Sequence, residues 1–149
     1  MTKLLMVCLG NICRSPLAEG ILKSKINSKD VFVDSAGTAA YHVGNLPDER
    51  SIKVAQKYDI DITNQRAIKF IVEDFDKFDF IYAMDESNYQ NILSLARNCE
   101  DEVKVHLILN ESETLQNLSV PDPYYGGNDG FENVYNMLDE ACSAIASKL

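Results

Sequence analysis

An almost uninterrupted apolar run, residues 4–9, lies near the start of the chain and restricts the folds open to it. A half-exposed strand would alternate apolar and polar residues, whereas a continuous run is typical of a parallel strand covered on both faces. From Leu17 the spacing changes, and apolar residues recur at helical intervals as far as Ile26. A buried strand followed at once by a helix predicts the first part of an α/β domain.

The same alternation of strand and helix patterns continues along the chain. Three further strand patterns follow, at residues 31–37, 78–84 and 103–109. Strands that alternate with helices predict a parallel, doubly wound sheet with helices on both faces. Ligands of such sheets bind beyond the carboxyl ends of the strands, so we expect a site there.

Several polar residues indicate where the helices begin. We predict that Ser15 caps the first helix, while Asp48 and Asp85 open two later ones. Asp129 and Glu132 have the spacing of a capping pair for the last helix. Residues 110–130, with two prolines and three glycines, predict a long loop before that helix, and loops of such length are often functional.

The charge of the chain restricts its partners. With 14 Lys and Arg against 23 Asp and Glu, the formal net charge is -9. Nucleic acids and anionic membranes favour proteins with surplus positive charge, so we expect neither as a partner. No apolar run approaches the roughly 18 residues of a membrane span, and the first residues lack a secretory pattern. An anionic ligand would therefore have to be held by a local arrangement of donors.

Four cysteines, at positions 8, 13, 99 and 142, raise two further hypotheses. They could form two disulfides, or a structural zinc site with His42 or His106. Four residues separate Cys8 from Cys13 and the others stand alone, which is not the spacing of paired zinc ligands. We expect neither, and predict a reducing, cytoplasmic setting with no metal and no cofactor.

The segment from Cys8 to Arg14, CLGNICR, connects the first strand to the first helix and suits a tetrahedral anion. The five residues between them allow the backbone to curl round such an anion with its N–H groups pointing inward. Gly10 relieves the tight turn, and the next helix directs its positive end at the centre. Arg14 can bind two phosphate oxygens, and Cys8 would then lie beneath the phosphorus.

Two further side chains can assist this segment. Ser15 can donate its hydroxyl hydrogen to a Cys8 thiolate, and Asn11 can tie the loop to neighbouring backbone. A cysteine that ends an apolar strand is more often a core residue, and the pattern of a cysteine, five residues and an arginine is short. The strand before it and the Ser-Pro helix start after it favour a phosphate-binding loop.

The stretch VCLGNICRSPLAEG, residues 7–20, resembles the signature of the low-molecular-weight protein tyrosine phosphatase family. The resemblance covers essentially the whole chain, because DSAG at 34–37, MDESN at 84–88 and DPYYGG at 122–127 follow in the family's order. It implies a four-stranded, flavodoxin-like three-layer sandwich, with residues 1–149 as a single domain.

The resemblance also implies a mechanism. Cys8 attacks phosphorus and forms a phosphocysteine, while Arg14 and the loop stabilise the phosphoryl group, so that no metal is required. The loop residues that would bind the substrate are Leu9, Gly10, Asn11, Ile12, Cys13 and Ser15.

Further residues match the family around this loop. Asp122, stiffened by Pro123, matches the general acid that protonates the departing tyrosine oxygen and then activates water. Tyr124 and Tyr125 match tyrosines that flank the catalytic mouth, and Tyr41 matches an aromatic on the opposite side. Aromatic walls favour phosphotyrosine over the shorter phosphoserine.

The remaining cysteines and histidines divide into one regulatory candidate and several structural ones. Cys13 matches a cysteine that forms a reversible disulfide with the nucleophile in many family members, so a Cys8–Cys13 disulfide is a further hypothesis. We expect Cys99 and Cys142 to pack between helices, and His106 to be structural. His42 could contact a ligand near Tyr41, but we expect it to be a solvated loop residue.

Three alternative functions were weighed. A thiol-dependent arsenate reductase of this fold needs two more cysteines after the third strand, where this chain has only Cys99. A protein-arginine phosphatase of the same fold carries a threonine where this chain has Ile12. A non-catalytic phosphotyrosine-binding module would lack the nucleophile or the acid. The sequence therefore predicts a phosphatase of phosphotyrosine-containing proteins, a tyrosine kinase being one candidate substrate, that acts as a monomer or weak dimer.

Overall fold

The computed structural model describes residues 1–123 and 128–149, without the side chains of Asn128 and Asp129. Within this part of the chain, the parallel strands are β1 (Thr2–Cys8), β2 (Val31–Gly37), β3 (Phe80–Ala83) and β4 (Val105–Leu107). The helices are α1 (Arg14–Lys23), α2 (Glu49–Lys57), α3 (Asp74–Lys77), α4 (Glu86–Leu93), α5 (Cys99–Glu102) and α6 (Asn128–Ser147). The prediction of an α/β fold with a four-stranded parallel sheet is confirmed.

The order of the strands places the end of β1 at a ligand-binding position. The order is β2-β1-β3-β4, so the chain leaves β1 towards one side and later returns to its other side. The carboxyl end of β1 is therefore the switch point of the sheet, where doubly wound folds bind their ligands. Cys8 ends β1 there, paired in register with Gly37.

Both faces of the sheet are covered, which explains the uninterrupted apolar run in β1. Leu4, Met6 and Cys8 belong to one core, which also contains residues of α1 and α6. Leu5 and Val7 belong to a second core on the opposite face. The phenylalanines of that second core are Phe70, Phe75 and Phe78.

Two strands are shorter in the structure than their sequence patterns predict, because short helices include residues at the predicted strand ends. The Phe78 amide donates to Asp74 O at 3.0 Å and closes α3, so β3 begins later. The Val103 amide closes α5 on Cys99 O at 3.1 Å, so β4 also begins later. After β4 the chain turns into a 3-10 helix at Ile108–Glu111, which takes the start of the predicted loop.

The predicted helix starts are confirmed at two positions and wrong at two. Asp48 and Asp85 cap α2 and α4, accepting hydrogen bonds from their own helices. Ser15 is not a cap, because α1 already begins at Arg14 and no side chain caps it. Asp129 lies inside α6, and Glu132 instead accepts hydrogen bonds from Lys57 at the end of α2 and from Tyr58, which follows it. Within the described residues, no helix has the length and apolar character needed to cross a membrane.

Candidate active site

The loop between β1 and α1 is held open by hydrogen bonds to its outer side. Four of its carbonyl groups point away from the loop centre and accept from neighbouring segments. The pairs are Cys8 O with Thr38 N (2.9 Å), Leu9 O with Ala39 N (2.9 Å), Ile12 O with Asp48 N (2.7 Å) and Cys13 O with Ser51 Oγ (3.2 Å). The segments after β2 and at the start of α2 therefore fix the path of the loop.

These outward carbonyls determine where the amides point. In a trans peptide the C=O and the next N–H point in opposite directions, and the described chain has no cis peptide. The amides that follow the four carbonyls consequently face the inside of the loop. They belong to Leu9, Gly10, Cys13 and Arg14. The loop thus presents a set of N–H donors at the start of α1, as an anion site requires.

Gly37 allows the loop to approach the sheet closely. A Cβ atom at this position would lie 2.7 Å from Leu9 O and 3.1 Å from Asn11 N. Both are backbone atoms, which cannot move aside as a flexible side chain could. The glycine of the DSAG stretch is therefore required by the packing of the loop on β2.

The Cys8 sulfur lies at the base of the loop and has two polar neighbours. It is 3.0 Å from Ser15 Oγ, and the Asn11 amide donates to it at 3.2 Å. Asn11 adopts a left-handed backbone conformation (φ 57°), which asparagine tolerates better than most residues and which turns its amide towards the sulfur.

The direction of the hydrogen bonds around Ser15 follows from a fixed donor. The Ile68 amide can only donate, and it donates to Asn11 Oδ1 at 3.0 Å. Asn11 Nδ2 must then donate to Ser15 Oγ, at 2.8 Å. The hydroxyl hydrogen of Ser15 is left for the Cys8 sulfur, since its other acceptor, Ala36 O, is at a longer 3.4 Å. The network therefore directs an O–H donor at the sulfur, where it can stabilise negative charge that develops during a reaction.

Arg14 is buried and oriented by carbonyl and carboxylate oxygens. Its Nη1 donates to Asp85 Oδ2 at 2.5 Å and to Val120 O at 3.1 Å. Its Nη2 lies 3.7 Å from Asp122 Oδ2. Although burial opposes the charge, the Cys8 sulfur and Asp85 raise the pKa of the Arg14 guanidinium, which stays cationic.

These groups share one pocket of about 320 Å³. It is lined by Cys8, Leu9, Gly10, Ile12, Cys13, Arg14, Tyr41, His42 and Asp122. The structure thus brings together most of the predicted site residues. Asn11 and Ser15 do not line the pocket, and they act from behind the loop, where both are buried.

A family model described as low molecular weight phosphotyrosine protein phosphatase matches residues 3–149. The chain belongs to this family. A phosphatase with the same description from Schizosaccharomyces pombe is 42% identical over 146 residues, which cover 93% of this chain and 92% of the relative.

Solved structures show the same family likeness. A protein tyrosine phosphatase from Entamoeba histolytica, with Hepes in its active site, has a TM-score of 0.94 at 38% identity and covers 99% of this chain and 96% of its own. A Drosophila arginine phosphatase has a TM-score of 0.90 at 31% identity, and the match covers 99% of this chain and 97% of the phosphatase. The predicted resemblance to the low-molecular-weight phosphatases is thereby confirmed.

Two residues of this phosphatase-family site were not given a role in the site from sequence. His42, predicted to be a solvated loop residue, is only partly exposed and lines the pocket. Its ring lies over the catalytic loop, since a Cβ atom at Gly10 would be 2.9 Å from His42 Cδ2. Asp85 was predicted only as a helix cap, although its position directly after β3, at the carboxyl edge of the sheet, is a signal that it could reach the site.

Cys13 differs from Cys8 in its surroundings. Burial, followed by the charges of Asp48 and Cys8, raises the pKa of the Cys13 thiol to about 12. It therefore stays protonated at neutral pH. All four cysteines are free thiols in this structure, so the predicted Cys8–Cys13 disulfide is not formed here and stays a hypothesis.

The other predicted residues have different outcomes. Tyr41 lines the pocket at its rim, with 77% of its surface exposed, whereas Tyr124 and Tyr125 lie outside the described residues. Cys142 is buried in the core against Ala18 O, but Cys99 is exposed at the start of α5, so the expectation that Cys99 packs between helices is wrong. Among the described residues, no group of three His, Cys, Asp or Glu side chains is placed to hold a metal ion.

Proposed function

We propose that this protein hydrolyses phosphotyrosine in proteins through a phosphocysteine intermediate on Cys8. The observation that carries this proposal is the position of the Cys8 sulfur, which lies beneath a ring of inward amides and receives the Ser15 hydroxyl. Membership of the low-molecular-weight phosphatase family supports the same reaction class.

In the first step, the Cys8 thiolate attacks the phosphorus of the bound phosphotyrosine. The S–P bond forms while the bond between phosphorus and the tyrosine oxygen breaks. Asp122, as a carboxylic acid, gives its proton to the departing oxygen, so that a neutral phenol leaves. Arg14 and the inward amides hold the phosphoryl oxygens and stabilise the negative charge on them.

In the second step, water hydrolyses the phosphocysteine. The Asp122 carboxylate takes a proton from water as the water oxygen attacks phosphorus. The S–P bond breaks, inorganic phosphate leaves, and Cys8 is again a thiolate beside a protonated Asp122. The 3.7 Å approach of Asp122 Oδ2 to Arg14 Nη2 supports this assignment, because it places the carboxyl group beside the phosphate clamp.

The proposed substrate is a phosphotyrosine-containing protein, a tyrosine kinase being one candidate. Tyr41 at the rim and Ile12 in the pocket offer apolar surface to a phenyl ring, with Tyr124 and Tyr125 as the expected opposite wall. We further propose a cytoplasmic protein that acts as a monomer or weak dimer, with no cofactor.

A second candidate is a protein-arginine phosphatase. It is favoured by the 31% identity to the Drosophila arginine phosphatase across nearly the whole chain. The apolar side chain of Ile12 in the pocket supports phosphotyrosine instead, because it offers no polar partner to a guanidinium. Arsenate reduction has less support, since Cys142 is buried in the core and Cys99 has no neighbouring cysteine in the sequence.

The test is phosphate release from matched phosphotyrosine, phosphoserine and phosphoarginine peptides, in the presence of EDTA and with Cys8→Ser as the blank. We expect rapid release from the phosphotyrosine peptide alone. Preference for phosphoarginine would replace the proposal by the second candidate. Activity of Cys8→Ser near that of the wild type would remove Cys8 as the nucleophile.

A further inference from the structure

A second groove, of about 280 Å³, lies between α2 and the start of α6. It is lined by Arg50, Lys53, Val54, Lys57 and Phe131. The four residues of α2 have helical i, i+3, i+4 and i+7 spacing, so they share one face of that helix. The groove therefore has three cationic side chains around an apolar floor.

The groove is directly connected to the catalytic loop through the first turn of α2. The Asp48 amide donates to Ile12 O, and the Ser51 hydroxyl donates to Cys13 O. Arg50 lies between these two contacts in the sequence, so the cationic face begins where the loop ends. From Arg50 to Lys57 the helix rises about 10 Å, the length of about three residues of extended peptide.

The three cations of the groove differ in the acidic partners that they bind. Arg50 lies over the Phe131 ring, 4.6 Å from its centroid, and pairs with Asp48 at 3.1 Å. Lys57 pairs with Glu132 at 3.1 Å. Lys53 is exposed and has no ion pair within the part of the chain that the structure describes.

The acidic partners do not close the groove to a ligand. The side chains of Lys57 and Glu132 are 62% and 31% exposed, and an ion pair between such groups is weak enough to be exchanged for another. Arg50 is held more firmly, because both oxygens of Asp48, whose side chain is 13% exposed, accept from it. At physiological ionic strength charges are screened beyond about 8 Å, so the distant acidic residues of the chain count little at the groove. The near ones, Asp48 and Glu132, offset Arg50 and Lys57, which leaves Lys53 as the main attraction for an anionic ligand.

We propose that this groove binds carboxylate side chains of the phosphoprotein substrate that flank its phosphotyrosine. The proposal rests on the phosphotyrosine phosphatase activity proposed above. A substrate whose phosphotyrosine occupies the catalytic pocket must pass over the rim, and on the side of α2 it meets Arg50, Lys53 and Lys57. Carboxylates complement those cations, while the aliphatic parts of the peptide contact Val54. Phe131 is buried beneath Arg50 and supports the groove from below.

The experiment compares two phosphotyrosine peptides that differ only in charge. One carries Glu and Asp at the positions about three to six residues from the phosphotyrosine, on each side of it, and the other carries Gln and Asn there. A stretch of this length is enough to span the groove. The enzymes are the wild type, Lys53→Gln and Lys53→Glu. Lys29→Glu is the matched control, because Lys29 is an exposed lysine just before β2, at the opposite end of the sheet from Cys8.

We expect the wild type to have a higher kcat/KM for the acidic peptide at low salt. Lys53→Gln should reduce this preference about two- to fivefold and Lys53→Glu more, in line with exposed ion pairs. Neither variant should change the hydrolysis of free phosphotyrosine, which does not reach the groove, and Lys29→Glu should behave as the wild type. Equal kcat/KM values for the two peptides in the wild type, or equal effects of Lys29→Glu and Lys53→Glu, would overturn the proposal.

A binding measurement separates this proposal from the proposed activity. Fluorescence anisotropy with Cys8→Ser gives the affinity for each peptide without turnover. If free phosphotyrosine is not hydrolysed by the wild type, the proposed function fails. The groove is tested separately by anisotropy. Tighter binding of the acidic peptide that is lost when Lys53→Glu is added would support the proposed carboxylate binding, and equal affinities for the two peptides would contradict it.

Discussion

Replacing Ser15 by alanine tests the hydrogen-bond network that supports the nucleophile. Ser15 is fully buried and lies between Asn11 Nδ2, which donates to it, and the Cys8 sulfur, which lies 3.0 Å away. Ser15→Ala removes one oxygen atom and opens little space, so its effects follow from lost hydrogen bonds. Two separate consequences are expected, one for reactivity and one for stability.

The magnitudes follow from the two hydrogen bonds. A hydrogen bond to a charged acceptor contributes about 1.5–3 kcal/mol, so the rate at which the Cys8 sulfur reacts should fall about 10- to 100-fold. The buried Asn11 amide loses its partner, which should lower the free energy of unfolding by about 1–3 kcal/mol. Phosphatase activity should fall with the reactivity of the sulfur.

The assay is the rate of Cys8 alkylation by iodoacetamide between about pH 4 and pH 8, followed by mass spectrometry, with urea unfolding of the same samples. Ser51→Ala is the matched control, since Ser51 is equally buried and its hydroxyl binds Cys13 O without touching the sulfur. We expect Ser51→Ala to lower stability but to leave the pH dependence of alkylation unchanged. A Ser15→Ala protein that is folded and alkylates at the wild-type rate across this range would refute the reasoning.

Three further predictions address the acid, the second cysteine and the loop. Asp122→Asn should slow hydrolysis of phosphotyrosine far more than that of an ester with a very good leaving group, and equal losses in kcat would argue against Asp122 as the acid. Because the pKa of Cys13 is raised to about 12, Cys13 should resist alkylation at neutral pH and react only as the pH approaches that value. Cys8 should react at neutral pH and be protected by phosphate. Peptide mapping that finds equal labelling of the two cysteines would contradict this prediction. Gly37→Ala places a Cβ against Leu9 O, so it should lower the free energy of unfolding by about 1–3 kcal/mol and also lower kcat/KM. Unchanged urea unfolding and kinetics would show that the loop does not depend on this contact.

The parts of the fold that could be predicted are those determined by local patterns. The continuous apolar run of β1 indicated a strand buried on both faces, and the structure has a core on each side of it. Asp48 and Asp85 were predictable as helix starts because a cap bonds to its own helix. Ser15 has the right residue type for a cap, but its partners are Cys8 and Asn11, which only the folded loop brings to it.

The site was predictable where a contiguous motif carries it and unpredictable where distant segments meet. The loop from Cys8 to Arg14 is one stretch of sequence, so its chemistry could be inferred from residue types and spacing. The groups that orient Arg14 are 71 and 106 residues away. The position of Asp85 directly after β3 is a signal that it could reach the site, whereas nothing local indicates that the Val120 carbonyl would reach Arg14. A contact of His42 with ligand was considered from sequence but not preferred, because only the path of the loop after β2 shows that its ring lies over the loop from Cys8 to Arg14.

The central claim is that Cys8 becomes phosphorylated during turnover. The most direct measurement is acid quenching of the enzyme within milliseconds of mixing with phosphotyrosine peptide, followed by intact-mass and peptide-level mass spectrometry. The account predicts a mass increase of one phosphoryl group on the peptide that contains Cys8, which is absent in Cys8→Ser and decays as phosphate appears. Turnover without any phosphorylated enzyme, or with the phosphoryl group on another residue, would contradict it.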